Sequence, residues 1–365
     1  MPQNDSRLYY NSVMGSVKRE RIEYRAGIVI AAVLLGVSVL LFVMARCVPG
    51  FAEWYSSSVY PVLVNTVGRL SGVFPFSVSE ALCVLLPFIL IADILINRRH
   101  LGRFFRHLFI IVSLLVFLYA ANCGVNYYRE PFVDPEVYSQ DSFTVDQLAD
   151  FCEYASKQLE DNPGGENFAY PNPAAIRESA VSAMEKLGLE YGSLSGYYPQ
   201  PKKMALISGF FSGMGVSGIY SPFTIEANVN GEMPGMENPF TTCHELSHLK
   251  GYMNEGEANY IGWLACVGSE DPAFRRSGWL IAWSYAGSEL RRADPERYSE
   301  VLQSLPKDAA DELNENYEFW ASHETKAAEV QDKVNDAYLK SNGQTEGIAS
   351  YNKLTYLMLM WFYND

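Results

Sequence analysis

Residues 241–259 read Thr-Thr-Cys-His-Glu-Leu-Ser-His-Leu-Lys-Gly-Tyr-Met-Asn-Glu-Gly-Glu-Ala-Asn. On a helix, positions four apart share a face, so His244 and His248 present two imidazole nitrogens to one point. That interval lets one helix offer two ligands to a zinc ion, and Glu245 then stands beside the metal's open position. A carboxylate placed there takes a proton from metal-bound water and passes it to a leaving amine. The chain has five histidines, at 100, 107, 244, 248 and 323, so two of them framing a glutamate at this spacing is a poor candidate for coincidence. Thr241 or Thr242 is placed to cap the helix and Gly251 to stop it.

A catalytic zinc normally takes three protein ligands, and Glu255, Glu257 and Asn254 compete for the third place. If Gly251 ends the first helix, Asn254 caps a second one, and Glu257 at its third position turns back toward the first. The same two residues also make an N-x-x-E capping box, in which the carboxylate only satisfies a backbone N–H. Glu257 is the preferred ligand on the residues alone, because no other histidine is nearby in sequence. The stretch also reads HExxHxxGxxN, but Asn254 is a poor zinc ligand beside carboxylate or imidazole.

HELSH followed closely by EGEAN resembles the gluzincin-type zincin metallopeptidases, in which two helices supply HExxH and a later glutamate as third ligand. The resemblance implies hydrolysis of a peptide or protein substrate with Zn2+ as cofactor, and it also points to Glu257. The step from His248 to Glu257 is shorter than most gluzincins use. The wider layout, three apolar segments, then PFTIEAN at 222–228, then HELSHLKG and EANY, is similar to an uncharacterised family of bacterial membrane proteins. The expected activity is zinc-dependent peptide-bond hydrolysis with Glu245 as general base. Its rival is a non-catalytic, membrane-tethered binding or sensor protein that keeps the fold. A donor to the transition state is expected opposite Glu245, with His323, Tyr260 and Tyr351 as candidates.

Upstream of the motif the chain is apolar. Ala26 to Ala45 is an uncharged stretch of about 20 residues, the length that crosses a bilayer. Leu108 to Ala121 gives a second good span, and Ala81 to Ile96 a weaker one, with Pro87 inside it and Asp93 near one end. The spans are expected at about 26–45, 80–96 and 107–123, making residues 1–125 a membrane domain and residues 126–365 a catalytic-sized domain. Arg7, Lys18, Arg19, Arg21 and Arg25 precede the first span, and Arg98, Arg99, Arg103 and Arg106 fill the turn between the second and third. The positive-inside rule then puts the N-terminus in the cytoplasm and the large domain outside, in a multi-pass protein of the cell membrane. The loop at 51–78 is rich in aromatics, which suits either the outer interface or a packed cover over the helices.

Charge divides at the same place. Residues 1–107 carry 11 Lys or Arg against 6 Asp or Glu, and the remainder carries 17 against 36. An acidic outer domain argues against nucleic acid or anionic lipid as its partner; the partners expected for the whole chain are the lipid bilayer around its spans and a peptide or protein substrate. The six cysteines show no CxxC spacing; a bridge among Cys152, Cys243 and Cys266 is open in an oxidising compartment.

Within the outer domain, Thr144 caps an amphipathic helix ended by Asn162-Pro163, and a second helix from Pro173 stops at Gly188. Phe223 to Val229 alternates apolar and polar residues, as a strand with one wet face does; its free edge is a candidate to hold an extended peptide. Residues 278–290 are too short an apolar run to cross a bilayer and read as a buried helix, and a charged stretch from Lys307 to Lys340 reads as helical. The expected fold class is mainly α: three transmembrane helices, then an α+β zincin-like domain with a small sheet and an HExxH helix.

Overall fold

Each of the three apolar segments forms one long helix. The computed structural model describes residues 3–134, 143–165, 168–342, 344 and 353–364. Helix α1 runs Gln3–Cys47, α2 Val78–Ile96 and α3 Leu101–Tyr119. The stretches long and apolar enough to cross a membrane are Arg25–Cys47, Val78–Ile96 and Leu101–Tyr128, the last running past α3 through the helical turns that continue it. α3 begins earlier than expected, so Arg103 and Arg106 lie inside it rather than in the turn. Pro87 leaves α2 continuous, and Asp93 is paired, since His107 Nδ1 lies 3.0 Å from its Oδ1.

α1 and α3 pack against one another closely. Gly27 lies against Ile110, whose Cδ1 would stand 2.9 Å from a Cβ placed on the glycine. α2 is held mainly at its N-terminus, by the sheet. Ser77 caps it, and Glu226 accepts from the N–H groups of Val78 at 3.1 Å and Ser79 at 2.8 Å. A buried carboxylate on a helix N-terminus answers both the unpaired N–H groups and the dipole of that helix.

Residues 51–72 are not a loose loop but an almost unbroken helical segment with two π turns. Tyr55, Tyr60 and Val64 from it belong to the same core as the large domain. Tyr60 is buried, its hydroxyl 2.8 Å from that of Tyr220 and 3.0 Å from the Leu249 carbonyl. The boundary expected at residue 125 therefore does not separate two cores, because 51–72 is part of the packing under the HExxH helix.

The large domain is mainly helical, with α4 at Val145–Asp161 and α5 at Pro173–Glu190. Thr144 and Gln147 form a capping box at the start of α4, while α5 runs on through Gly188. The sheet has the order β1-β3-β2, with β1 at Lys202–Lys203, β2 at Gly218–Ser221 and β3 at Glu226–Val229. β1 is parallel to β3 and β2 antiparallel to it.

Three expectations about this strand fail. Residues 222–225 form the turn of the β2–β3 hairpin, with Ile225 at φ 53°, so the strand starts only at Glu226. β3 is also the central strand, so the edge strand on that side is β2. Its polar residues are buried rather than wet, because Glu226 and Asn228 face the start of α2, where Asn228 accepts from Ser77 at 2.7 Å.

After the sheet come α6 at Asn238–Leu249, α7 at Glu255–Val267, α8 at Pro272–Ala293, α9 at Lys307–His323, α10 at Lys326–Ser341 and α11 at Lys353–Asn364. α8 contains the expected buried run. Trp263 of α7, Trp279 of α8 and Trp361 of α11 meet edge to face or tilted, with ring centroids 5.1 to 6.2 Å apart. Arg276 is buried between α8 and α9, donating to Glu312 at 2.7 Å and pairing with Asp308 at 2.9 Å. All six cysteines are free thiols, so the bridge left open among Cys152, Cys243 and Cys266 is absent.

Candidate metal centre

α6 carries His244, Glu245 and His248, and its helical register does what the spacing requires. The two imidazoles lie together, ring centroids 4.6 Å apart. Thr241 and Thr242 do not cap this helix, because it starts earlier, at Asn238; Thr242 instead donates to the Asn238 carbonyl at 2.6 Å. The far end is as expected. Gly251 has φ +90°, its N–H donates to the His248 carbonyl at 2.9 Å, and Tyr252 N–H donates to the Ser247 carbonyl at 3.2 Å. That pair of bonds is a Schellman stop, which needs a left-handed residue just past the helix.

The stop also turns the Tyr252 carbonyl back onto His248, whose Nδ1–H donates to it at 2.8 Å. With Nδ1 protonated, the lone pair sits on Nε2, which is the form a metal requires.

The third member of the cluster is Glu255. Its Oε2 lies 3.4 Å from His244 Nε2 and 3.5 Å from His248 Nε2, and the three residues offer ligand atoms within 4.8 Å of one another. Glu257, the residue preferred on sequence, is not among them. Its Oε1 accepts from Phe132 N–H at 2.8 Å and Val133 N–H at 3.5 Å, tying the chain that leaves the membrane helices to the start of α7.

The reason is angular. Residues two apart on a helix differ by about 200° around its axis, so Glu255 and Glu257 cannot both face α6. The face of α7 toward α6 is the stripe Glu255, Asn259, Gly262, at i, i+4 and i+7. The Asn259 side chain lies close to His244, whose Nδ1 has no hydrogen-bond partner among the described residues. A Cβ on Gly262 would stand 3.0 Å from the His244 backbone nitrogen. The signal was present in the sequence, since a small residue and an amide share the face of Glu255 and not that of Glu257. Asn254 caps α7 as expected, accepting from Glu257 N–H at 3.3 Å, and makes no contact with the imidazoles that would replace Glu255.

Glu245 is buried, and one of its oxygens, Oε2, has no hydrogen-bond partner. Burial pushes its carboxyl up to about 8, with His248 pulling down and Glu255 pushing up. Burial opposes charge on His248, but Glu255 and Glu245 outweigh it and raise the imidazole to about 9. Burial likewise opposes charge on Glu255, and the two imidazoles outweigh it, holding that carboxyl well below the usual range. In the free protein the cluster thus pairs one ionised carboxylate, Glu255, with a proton on His248, while burial favours the neutral forms of Glu245 and His244.

β2 closes the site from above. A Cβ on Gly218 would lie 2.6 Å from Glu245 Oε1 and 2.8 Å from Thr241 Cγ2, so only glycine lets the strand come this close. No motif spacing points to Gly218. Of the expected donors, His323 is occupied by the Phe319 carbonyl at 2.8 Å, and the Tyr260 ring stacks on Trp263. Tyr351 lies outside the described residues. Two phenols within electrostatic range of Glu255 are Tyr127 and Tyr285; burial, Glu237 and then Glu255 push Tyr285 up to about 12.

The family described as protein of unknown function (DUF3810) matches residues 55–359, from the helical segment between the first two spans to the last helix. The chain belongs to the DUF3810 family. The match spans all but the first four residues of the helical segment at 51–72, the sheet, α6 and α7 together, so the family's unit includes both helices α2 and α3 and the His–Glu cluster. No curated protein and no solved structure matches the chain.

Proposed function

We propose that this membrane protein is a zinc-dependent peptidase, with His244, His248 and Glu255 as zinc ligands and Glu245 as general base. One observation carries the reading: Glu255 Oε2 stands 3.4 and 3.5 Å from the two Nε2 atoms. Charge-assisted N–H···O bonds are shorter, about 2.7–2.9 Å. Donors about 2.0–2.1 Å from a tetrahedral zinc are about 3.3–3.5 Å apart, which is the spacing seen. Two imidazoles and one carboxylate also form the donor set of a catalytic zinc that keeps its fourth position open.

When bound, zinc supplies a Lewis-acidic position that acidifies a water and polarises a carbonyl. The protein's own residues do the rest. The unpartnered Oε2 of Glu245 takes the proton and returns it to the leaving amine. Tyr252 holds His248 in the ligating tautomer, and Asn259 lies close to His244. β2, an edge strand of the three-stranded sheet, offers main-chain groups beside Glu245 on which an extended peptide adds as a further strand.

The basic flanks of α1 and α3 favour a cytoplasmic N-terminus, with the cluster on the opposite side of the membrane. The arrangement in which 51–72 packs with the large domain supports that reading, because both then lie on one side. The test is metal analysis of the purified full-length protein together with cleavage of a peptide library by wild type and Glu245→Gln. Stoichiometric zinc with no cleavage by either protein favours the sensor reading instead.

A further inference from the structure

Six large apolar side chains are exposed around the N-terminus of α2: Leu70, Val73, Phe74, Phe76, Leu206 and Phe210. Four precede α2 directly in the chain. Leu206 and Phe210 come from the segment after β1, and hydrogen bonds bring them to the same place. Glu80, in the first turn of α2, accepts from Leu206 N–H at 2.6 Å and Ile207 N–H at 2.9 Å. Lys202 Nζ donates to the Phe74 carbonyl at 2.6 Å. Phe210 lies one turn further on, in the short helix Ser208–Ser212.

The depth of this rim follows from the length of α2. Its 19 residues rise about 28 Å, against roughly 30 Å of hydrocarbon. With no length to spare, the first turn of α2 lies at the boundary between acyl chains and headgroups. The backbone of residues 205–207, bonded to Glu80 in that turn, is at the same level. There Leu206, 73% exposed, and Phe210, 65% exposed, have lipid rather than water beside them.

The same restraint fixes the height of the metal centre. Glu226 Oε2 is 2.8 Å from Ser79 N–H at the start of α2. Val229, three residues on, pairs with Gly218, which abuts Glu245. Three strand residues span about 10 Å, and the step across to Gly218 adds about 5 Å, so a short chain of contacts ties Glu245 to the level of the bilayer boundary.

We propose that this apolar rim is seated in the interfacial layer of the bilayer, and that it holds the cleft against the membrane so that the substrates are polypeptide segments emerging from or lying on that surface. The second clause rests on the peptidase reading; the lipid contact does not. A segment delivered at the bilayer meets the site at a high effective concentration, which a freely diffusing peptide lacks.

Two measurements on the full-length protein in lipid vesicles separate these claims. In the first, the added emission of Phe210→Trp over wild type is quenched by lipids brominated near the headgroup or by aqueous iodide. Quenching severalfold stronger by the lipids is expected; stronger quenching by iodide overturns the lipid contact. In the second, a peptide taken from the library cleavage is lipid-anchored through spacers of about 4, 10 and 25 residues, up to roughly 3.5 Å each. The shortest spacers are expected to be cut at least as fast as the longest. A requirement for the longest overturns the substrate class and leaves the lipid contact standing. Failure to cut any anchored form while the free peptide is still cut overturns the substrate class alone; failure to cut the library at all, with zinc bound, overturns the peptidase reading and the substrate class with it, whatever the quenching result.

Discussion

Glu255 and Glu257, separated by one glycine, lie on opposite sides of the first turn of α7: Glu255 Oε2 is 3.4 Å from His244 Nε2, and Glu257 Oε1 is 2.8 Å from Phe132 N–H. The two substitutions should therefore have different consequences. Glu255→Gln should lose metal by more than the roughly 10–100-fold that follows loss of an outer-shell partner. Glu257→Gln should keep stoichiometric metal and lose about 1 kcal/mol of stability, since the amide oxygen still accepts but without charge. Zinc content and Tm measured in parallel check this; the reverse pattern would return Glu257 to the site.

Glu245→Gln should bind zinc as wild type does and fold normally, because Glu245 is not in the cluster of ligand atoms. Peptide cleavage should fall by on the order of 10²–10⁴, the usual contribution of a positioned proton acceptor. Cleavage within a few-fold of wild type would remove Glu245 as the base.

Gly218→Ala places a methyl group 2.6 Å from Glu245 Oε1 and 2.8 Å from its Cγ. Either β2 or the carboxylate must move, and a displacement of about 1 Å can cost on the order of 10²-fold in rate. Loss of kcat/KM with unchanged zinc content and circular dichroism is the expected result. A variant as active as wild type would show that β2 does not constrain the base.

The sidedness reading is tested with paired reporters. A reporter active only in the cytoplasm should be silent after Asp365 and active when inserted in the turn between α2 and α3. An exported reporter should behave oppositely at both places. Activity of the cytoplasmic reporter after Asp365 would invert the topology.

Local periodicity accounts for what is legible in the sequence. His244, Glu245 and His248 lie within one helical turn, so their geometry follows from the register of a single element. The same holds for the three apolar helices, the capping box at Thr144 and the stop at Gly251, which depend on residues close in sequence. β3 was misread because its polar residues meet a partner nearly 150 positions away. Glu226 and Asn228 look like a wet strand face until the N-terminus of α2 is packed against them.

The third ligand fell between these cases. Sequence by itself determined that a carboxylate one or three residues past Asn254 lies in the first turn of a new helix near the imidazoles. Which carboxylate turns toward them was decided by how α7 rolls on α6, and that roll is set by Gly262 against the His244 backbone and by the 132–133 chain claiming Glu257. The closeness of Gly218 to Glu245, and of Leu206 to α2, likewise exists only in the tertiary structure. Spacing along a chain specifies contacts inside one helix, whereas contacts between elements depend on packing that no single segment encodes.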